Sequence, residues 1–314
     1  MPGVLLGTAI VLAAYILIYF NFIKGPRCKS ETSLKGKTVL ITGGNCGIGK
    51  VTALDLARRG ARTILACRNK EKAEAAIFDI RKKSGNMQVL FMKLDLASLT
   101  SIRAFATLFL ESEPRLDILI NNAGVLGGDM TIDGYNPMFR VNHLGHFLLT
   151  QLLLERLKHC APSRIVIVSS NSYFYGKIDF ENLNPPPGGL IRNIQAYADS
   201  KLANVLHARE LANRLEGNNI TCYAVHPGLV HTEIFHCISP WLKLPVYFYL
   251  CLFARDCIVG AQTSIYCAVQ EGIEQHSGRY FADCRVQEVW QKGRDDVVAK
   301  KLWEVSEYLV DLAG

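Results

Sequence analysis

Short apolar runs alternate with helical patterns along most of the chain. The runs KTVLIT, RTILAC, QVLFMKLD, LDILINN, RIVIVSS and ITCYAVHPG are rich in β-branched residues and show no polar alternation. That pattern predicts strands covered on both faces, as in a parallel sheet. Between them, residues 70–83, 98–112, 140–159 and 199–216 carry the apolar spacing of helices. The alternation predicts a doubly wound α/β fold, a Rossmann-like parallel sheet with helices on both faces.

Two segments interrupt the rhythm. Asn184–Leu190 (NPPPGGL) is predicted as loop, because its prolines fit neither a helix interior nor a central strand. Ile234–Phe253 is nearly all apolar, but Pro240 and Pro245 break it and it contains Lys243. It reads as a greasy substrate lid that dips into a membrane surface, rather than as a spanning helix.

A third apolar stretch opens the chain. Val4–Ile23 carries no formal charge, and as a helix it would span about 30 Å, one hydrocarbon core. Tyr15, Tyr19 and Asn21 lie toward its end, Lys24, Arg27 and Lys29 follow, and no Lys or Arg precedes it. This predicts a transmembrane anchor over residues 1–23, a polar linker over 24–36 and a folded domain over 37–314 facing the cytosol. The rival is a cleaved secretory signal and a secreted protein. It lacks a basic leading region and an A-x-A site.

Composition narrows the class. Among 314 residues, 49 % are hydrophobic and 20 % charged, which excludes a disordered or low-complexity protein. Lys and Arg (35) exceed Asp and Glu (28), a net +7 that suits anionic ligands. The basic residues are scattered without interleaved aromatics, so nucleic acid is not an expected partner. None of the ten cysteines forms a C-x-x-C pair, and most are expected as small core residues in a reducing compartment. His143, His146, His226, His231 and His236 complete no metal-ligand spacing and are read as packing or loop residues, with no metal.

Candidate chemistry begins where the first strand runs into Thr42-Gly43-Gly44-Asn45-Cys46-Gly47-Ile48-Gly49-Lys50 and a helix. Gly43 permits a tight turn, Gly47 lets the backbone approach a pyrophosphate, and Gly49 allows close helix–strand packing. The helix N-terminus offers N–H groups to the anion. After the second strand stands Arg68, where NAD-binding sites usually place a carboxylate, so NADP(H) is favoured over NAD(H). Tyr197 and Lys201 are four apart on a predicted helix and share a face. A phenol titrates near ~10. An ammonium about 4 Å away, at an effective dielectric of about 20, is worth at most about 4 kcal/mol and would carry it toward neutrality. Taken alone, the pair also reads as a solvent-facing helical couple.

Together these motifs resemble the short-chain dehydrogenase/reductase family. T-G-x-x-x-G-I-G stands at Thr42–Gly49, N-N-A-G at Asn121–Gly124, Y-x-x-x-K at Tyr197–Lys201 and a P-G pair at Pro227-Gly228, in the family's order. ACR at 66–68, LDLASL at 94–99, VNHLGHF at 141–147 and YFADC at 280–284 are similar to its membrane-anchored, retinol-dehydrogenase-like group. The resemblance implies an NADP(H)-dependent enzyme interconverting a lipophilic alcohol and its aldehyde or ketone, retinol/retinal first. A steroid or lipid ketone, and a non-catalytic nucleotide-binding scaffold, are the alternatives. It implies that Ser170 hydrogen-bonds the substrate oxygen, Tyr197 passes the proton, and Asn142 supports a water-linked relay to Lys201. It further implies that Asn45, Cys46, Ile48, Asp95, Leu96, Asn122, Ala123 and Gly124 line the adenosine and phosphate side. Pro227, Gly228, Val230 and Thr232 would face the nicotinamide end, with Tyr197 and Lys201 beside them. Cys46 departs from the small hydroxylic residue usual in this loop, which weakens one hydrogen bond there. The endoplasmic reticulum membrane is the expected location, membrane lipid an expected partner, and a second copy of the chain a candidate one.

Overall fold

The computed structural model describes residues 15–17, 19, 23–131, 133–230 and 240–312. Most of the expected anchor, the segment 231–239 with Thr232, and the loop histidines His231 and His236 lie outside the described residues.

One sheet organises the domain. Its strands are β1 (Thr38–Thr42), β2 (Arg62–Cys67), β3 (Val89–Lys93), β4 (Ile118–Asn121), β5 (Ser163–Val168), β6 (Ile220–His226), β7 (Tyr280–Ala282) and β8 (Arg285–Gln287). Their order is β3-β2-β1-β4-β5-β6-β7-β8. All pairings are parallel except β7 with β8, an antiparallel edge that the apolar runs did not announce. Because β1 pairs with both β2 and β4, the winding reverses there, and a crevice opens at the carboxyl ends of β1 and β4.

Beside a single turn at Pro137–Phe139, the main helices are α1 (Gly47–Arg58), α2 (Lys70–Ser84), α3 (Leu99–Ser112), α4 (Gly145–His159), α5 (Leu190–Arg214), α6 (Pro240–Phe253), α7 (Cys257–Gly260), α8 (Gln262–Val269) and α9 (Asp296–Leu309). Alternate residues of each strand serve two separate cores, which explains the unbroken apolar runs. Leu40, Ile64, Leu119 and Ile165 pack with Phe109, Phe147 and Trp303 on one face. Val39, Ile41, Leu65, Ile120 and Val166 pack with Leu56, Ile80 and Ile265 on the other.

Two helix boundaries differ from expectation. The loop from Asn184 ends at Gly189, and α5 begins at Leu190 rather than near residue 199. The early turns bury no apolar stripe, since Ile191 is 84 % and Ile194 48 % exposed, so periodicity does not reveal them. Pro245 does not break α6, which runs through it from Pro240 to Phe253 at the loss of one backbone N–H. Leu244, Tyr247, Phe248 and Tyr249 of α6 are exposed, and the Tyr15 hydroxyl donates to Leu252 O at 3.3 Å. Among the described residues no helix is long and apolar enough to cross a membrane.

Fewer cysteines are core residues than expected. Cys67, Cys160, Cys222 and Cys267 are buried, four of the nine described, and none of the nine is in a disulfide. His143 and His146 are core residues, with the His143 ring 5.3 Å from Phe139 and 6.1 Å from Phe147.

At the opposite end of the sheet from the crevice, Asp117 fastens the start of β1. Its side chain is 2 % exposed and accepts from Thr38 N and Lys37 Nζ, each at 2.9 Å, and from Arg115 Nη2 at 2.7 Å. Burial pushes the carboxyl up, but the Arg115, Thr38 and Lys37 donors together outweigh it and hold the group below its usual range. The stabilisation is therefore complete above the unfolded carboxylate value of about 3.9 and is lost as pH falls through the lowered folded value. Asp117→Asn is expected to cost about 1–3 kcal/mol at neutral pH. The difference from the parent should shrink toward zero below about pH 3, checked by denaturant melts across pH.

Candidate active site

The crevice floor is built from glycine. Gly43 leaves β1 in the left-handed region at φ +65°, and Gly47 follows at φ +53°. A Cβ on Gly49 would stand 2.4 Å from Gly43 O and 2.5 Å from Asn122 Nδ2, so only glycine lets α1 start so close to the turn. Cys46 is the N-cap residue and makes no side-chain cap bond, leaving the first N–H groups of α1 facing the crevice.

Thr42 ties this floor to the neighbouring strand. Its Oγ1 accepts from Asn122 N at 2.9 Å and Ala123 N at 3.0 Å, which uses both lone pairs. Its own proton therefore goes to His146 Nε2, 2.8 Å away, and His146 Nδ1–H donates to Asn142 O at 3.1 Å. Burial pushes His146 down to about 3, so the imidazole is neutral, as this tautomer requires. Asn142 lies in a π turn, Arg140–Leu144, that precedes α4. Its amide clasps Val125, accepting from N at 2.8 Å and donating to O at 3.1 Å, and donates to Ser200 Oγ at 3.0 Å. Gly124 separates Asn142 from Lys201, since a Cβ there would stand 3.5 Å from Asn142 Oδ1 and 3.6 Å from Lys201 Nζ.

The reactive side is carried by α5 and the end of β5. Lys201 is 2 % exposed and donates to Val168 O at 3.0 Å. Asn204 Nδ2 shares that carbonyl at 3.2 Å, and Ser169 Oγ donates to Lys201 O at 2.7 Å. Ser169 is thus turned into the core. Ser170 instead lies beside the Tyr197 phenol, whose proton affinity it lowers, and its Oγ receives Ser172 N at 3.2 Å. Lys201 Nζ stands 5.4 Å from the centre of the Tyr197 ring.

Burial lowers Lys201 to about 8 and raises Tyr197 to about 12, opposed in the latter by Ser170. This corrects the expectation that Lys201 brings the phenol toward neutrality. The amine is aimed at Val168 O, and desolvation of the phenol outweighs what the chain's own groups return.

The remaining expected residues stand at the ends of the strands and in the turns that follow them. Arg68 follows β2, is exposed, and makes no hydrogen bond or ion pair among the described residues. Asp95 Oδ1 accepts from Ala97 N at 3.0 Å, and Leu96 is buried. Asn45 lies in the turn, and Ile48 and Val230 meet across Gly260, whose Cβ would stand 3.4 Å from Ile48 and 2.5 Å from Val230. Pro227 and Gly228 leave β6, with Gly228 at φ +88° against Arg255. His226 is no loop cation: burial and then Arg255 push it down to about 4, and its Nδ1 accepts from Asn171 N at 3.2 Å. His146, Ser200 and Asn204 complete the site and were not expected from the sequence. Ser200, beside Lys201 in the motif, carried the one available hint.

This fold, with a tyrosine, a serine and a buried lysine over a glycine-rich crevice, defines a dinucleotide-dependent oxidoreductase class, and the chain belongs to the short-chain dehydrogenase family. A short chain dehydrogenase model matches residues 37–185. The chain is 55 % identical over 313 residues to dehydrogenase/reductase SDR family member 13 of Bos taurus, covering 99 % of this chain and 83 % of that protein. It is 49 % identical over 294 residues to retinol dehydrogenase 11 of Mus musculus, covering 91 % of this chain and 89 % of that protein. A crystal structure of an uncharacterised Mycobacterium paratuberculosis protein matches with TM-score 0.72 at 34 % identity, over 91 % of this chain and 98 % of that one.

Lys201 is an ammonium below about pH 8 and a neutral amine above it. Affinity for a nicotinamide dinucleotide is expected to fall as pH rises through that value. Lys201→Gln should bind weakly and without that limb, as read by fluorescence titration across pH.

Proposed function

We propose that the protein is an NADP(H)-dependent oxidoreductase that interconverts a lipophilic alcohol and its carbonyl, with retinol and retinal the leading pair. The observation that carries this reading is the convergence of Ser170, Tyr197 and Lys201 above the glycine crevice. Relatives bearing the name retinol dehydrogenase support the substrate class. An exposed, unpaired Arg68 after β2, with no carboxylate in its place, supports a 2′-phosphate there.

The crevice fits a dinucleotide. Its glycines leave no side chain between the backbone and a pyrophosphate, and Gly124 keeps the space before Lys201 open. When bound, the cofactor supplies or takes the hydride at the substrate carbon. In reduction Ser170 and Tyr197 direct hydroxyl protons at the carbonyl oxygen, and the Tyr197 proton completes the alcohol as the C–H bond forms. Lys201, one turn along α5, holds the proton that restores the phenol from solvent. Asn142 would act by fixing Val125 and Ser200 around this amine, with the water-linked relay passing beside Gly124. The apolar Val4–Ile23 segment and the exposed rings of α6 suit an endoplasmic reticulum membrane location, with the domain on the cytosolic face.

The test is NADPH consumption by detergent-solubilised full-length protein with all-trans-retinal. Tyr197→Phe should lower kcat by about 10²–10⁴-fold while nucleotide affinity is kept. Arg68→Ala should weaken NADPH about 10–100-fold and leave NADH nearly unchanged. Turnover insensitive to Tyr197→Phe would refute the assignment. Activity only with a steroid ketone would keep the chemistry and replace the substrate.

A further inference from the structure

A second cleft, away from the glycine turn, has a strongly one-sided charge. It is a cavity of about 760 Å³ between residues 24–29 and the end of the sheet, and Lys24, Arg27, Lys29, Arg255 and Arg285 line it against one carboxylate, Asp283. That carboxylate is taken by Arg255 Nη1 at 2.5 Å. Arg27, Lys29 and Arg285 are exposed and have no acidic partner among the described residues. Three cations left uncompensated around one concavity make a seat for a polyvalent anion.

The cleft is built into the fold. The expected linker, residues 24–36, packs on the domain: Cys28 N donates to Gln262 Oε1 at 3.0 Å, and Arg59 Nη1 donates to Ser30 O at 2.7 Å. Gly25, at φ +53°, lets the chain pass so close that a Cβ there would stand 2.7 Å from Val259. The position of the cleft names the anion. Its first wall follows directly on the uncharged Val4–Ile23 segment, and Arg255 comes two residues after the end of α6, whose Tyr247, Phe248 and Tyr249 are exposed. Apolar segments thus adjoin the walls of a cationic hollow along the chain, as acyl chains adjoin headgroups in a bilayer leaflet.

We infer that this cleft binds the phosphate headgroup of an anionic phospholipid and so fixes the height and tilt of the domain on the membrane. The inference rests on the membrane location proposed above. Detergent-solubilised full-length protein, held in saturating NADPH so that the glycine crevice is filled, is titrated at matched ionic strength. The probes are dioctanoyl phosphatidic acid, dioctanoyl phosphatidylcholine and inorganic phosphate. Phosphatidic acid is expected to raise Tm, with little shift from the other two. The Arg27→Gln/Lys29→Gln/Arg285→Gln variant should bind phosphatidic acid on the order of 100-fold more weakly, with unchanged NADPH affinity. If that variant does not fold, Arg27→Glu alone gives the same direction. Equal shifts from the two lipids, equal shifts from phosphate and phosphatidic acid, or an unaltered response of the variant would each overturn the inference. Retinal turnover on the same preparation reports separately on the proposed reaction.

Discussion

The geometry of the site hangs on how one buried amine is held. Lys201 is almost wholly withdrawn from water, yet the group it meets is the carbonyl of Val168 at 3.0 Å, not a carboxylate. An unpaired buried cation costs several kcal/mol, and its proton affinity falls accordingly, to about 8. The seat can exist because β5 ends there. Lys201 and Asn204 together occupy the carbonyl of Val168, and Ser169 returns a hydrogen bond to Lys201 O. Helix and strand are thereby pinned in opposite directions within one turn. With α5 so fixed, Tyr197 falls over the crevice, and Ser170, two residues past the end of β5, falls against its phenol.

A second lock holds the other wall. Thr42 at the end of β1 gathers the Asn122 and Ala123 amides and passes its proton to His146, which passes its own to Asn142 O. Four segments meet in that chain: β1, the turn after β4, the π turn and α4. A π turn carries one residue more per turn than its flanking helix, and this one rotates Asn142 inward toward Val125. The glycines then follow as a necessity of packing, since walls this close leave no volume for a Cβ at Gly49.

Much of this was legible in the sequence. The apolar runs gave six of the eight strands, because residues buried on both faces leave an unbroken signal. Glycine at Gly43, Gly47 and Gly49, and the spacing of Tyr197 to Lys201, are local patterns whose geometry follows from the elements that carry them. What was hidden is of another kind. The start of α5 buries too little apolar surface to show a period, and β7 and β8 are three residues each. The π turn has no composition of its own. His146 became structural through partners far away in the chain, Thr42 among them. The protonation of Tyr197 was misjudged because a pairwise attraction can be read from spacing, whereas desolvation depends on everything that surrounds the ring.

That last point bears on direction. With the amine lowered to about 8 and the phenol raised to about 12, both are protonated at neutral pH. A phenol in that state is a proton store. It gives readily to an oxygen that becomes an alkoxide as hydride arrives, and it takes a proton from an alcohol only after losing its own. Among the chain's own groups, lowering the phenol falls to Ser170, against a larger rise from burial. Carbonyl reduction needs the phenol protonated, the state that burial favours across the neutral range. Desolvation thus holds the phenol as a proton donor, the form in which the proposed reduction would use it.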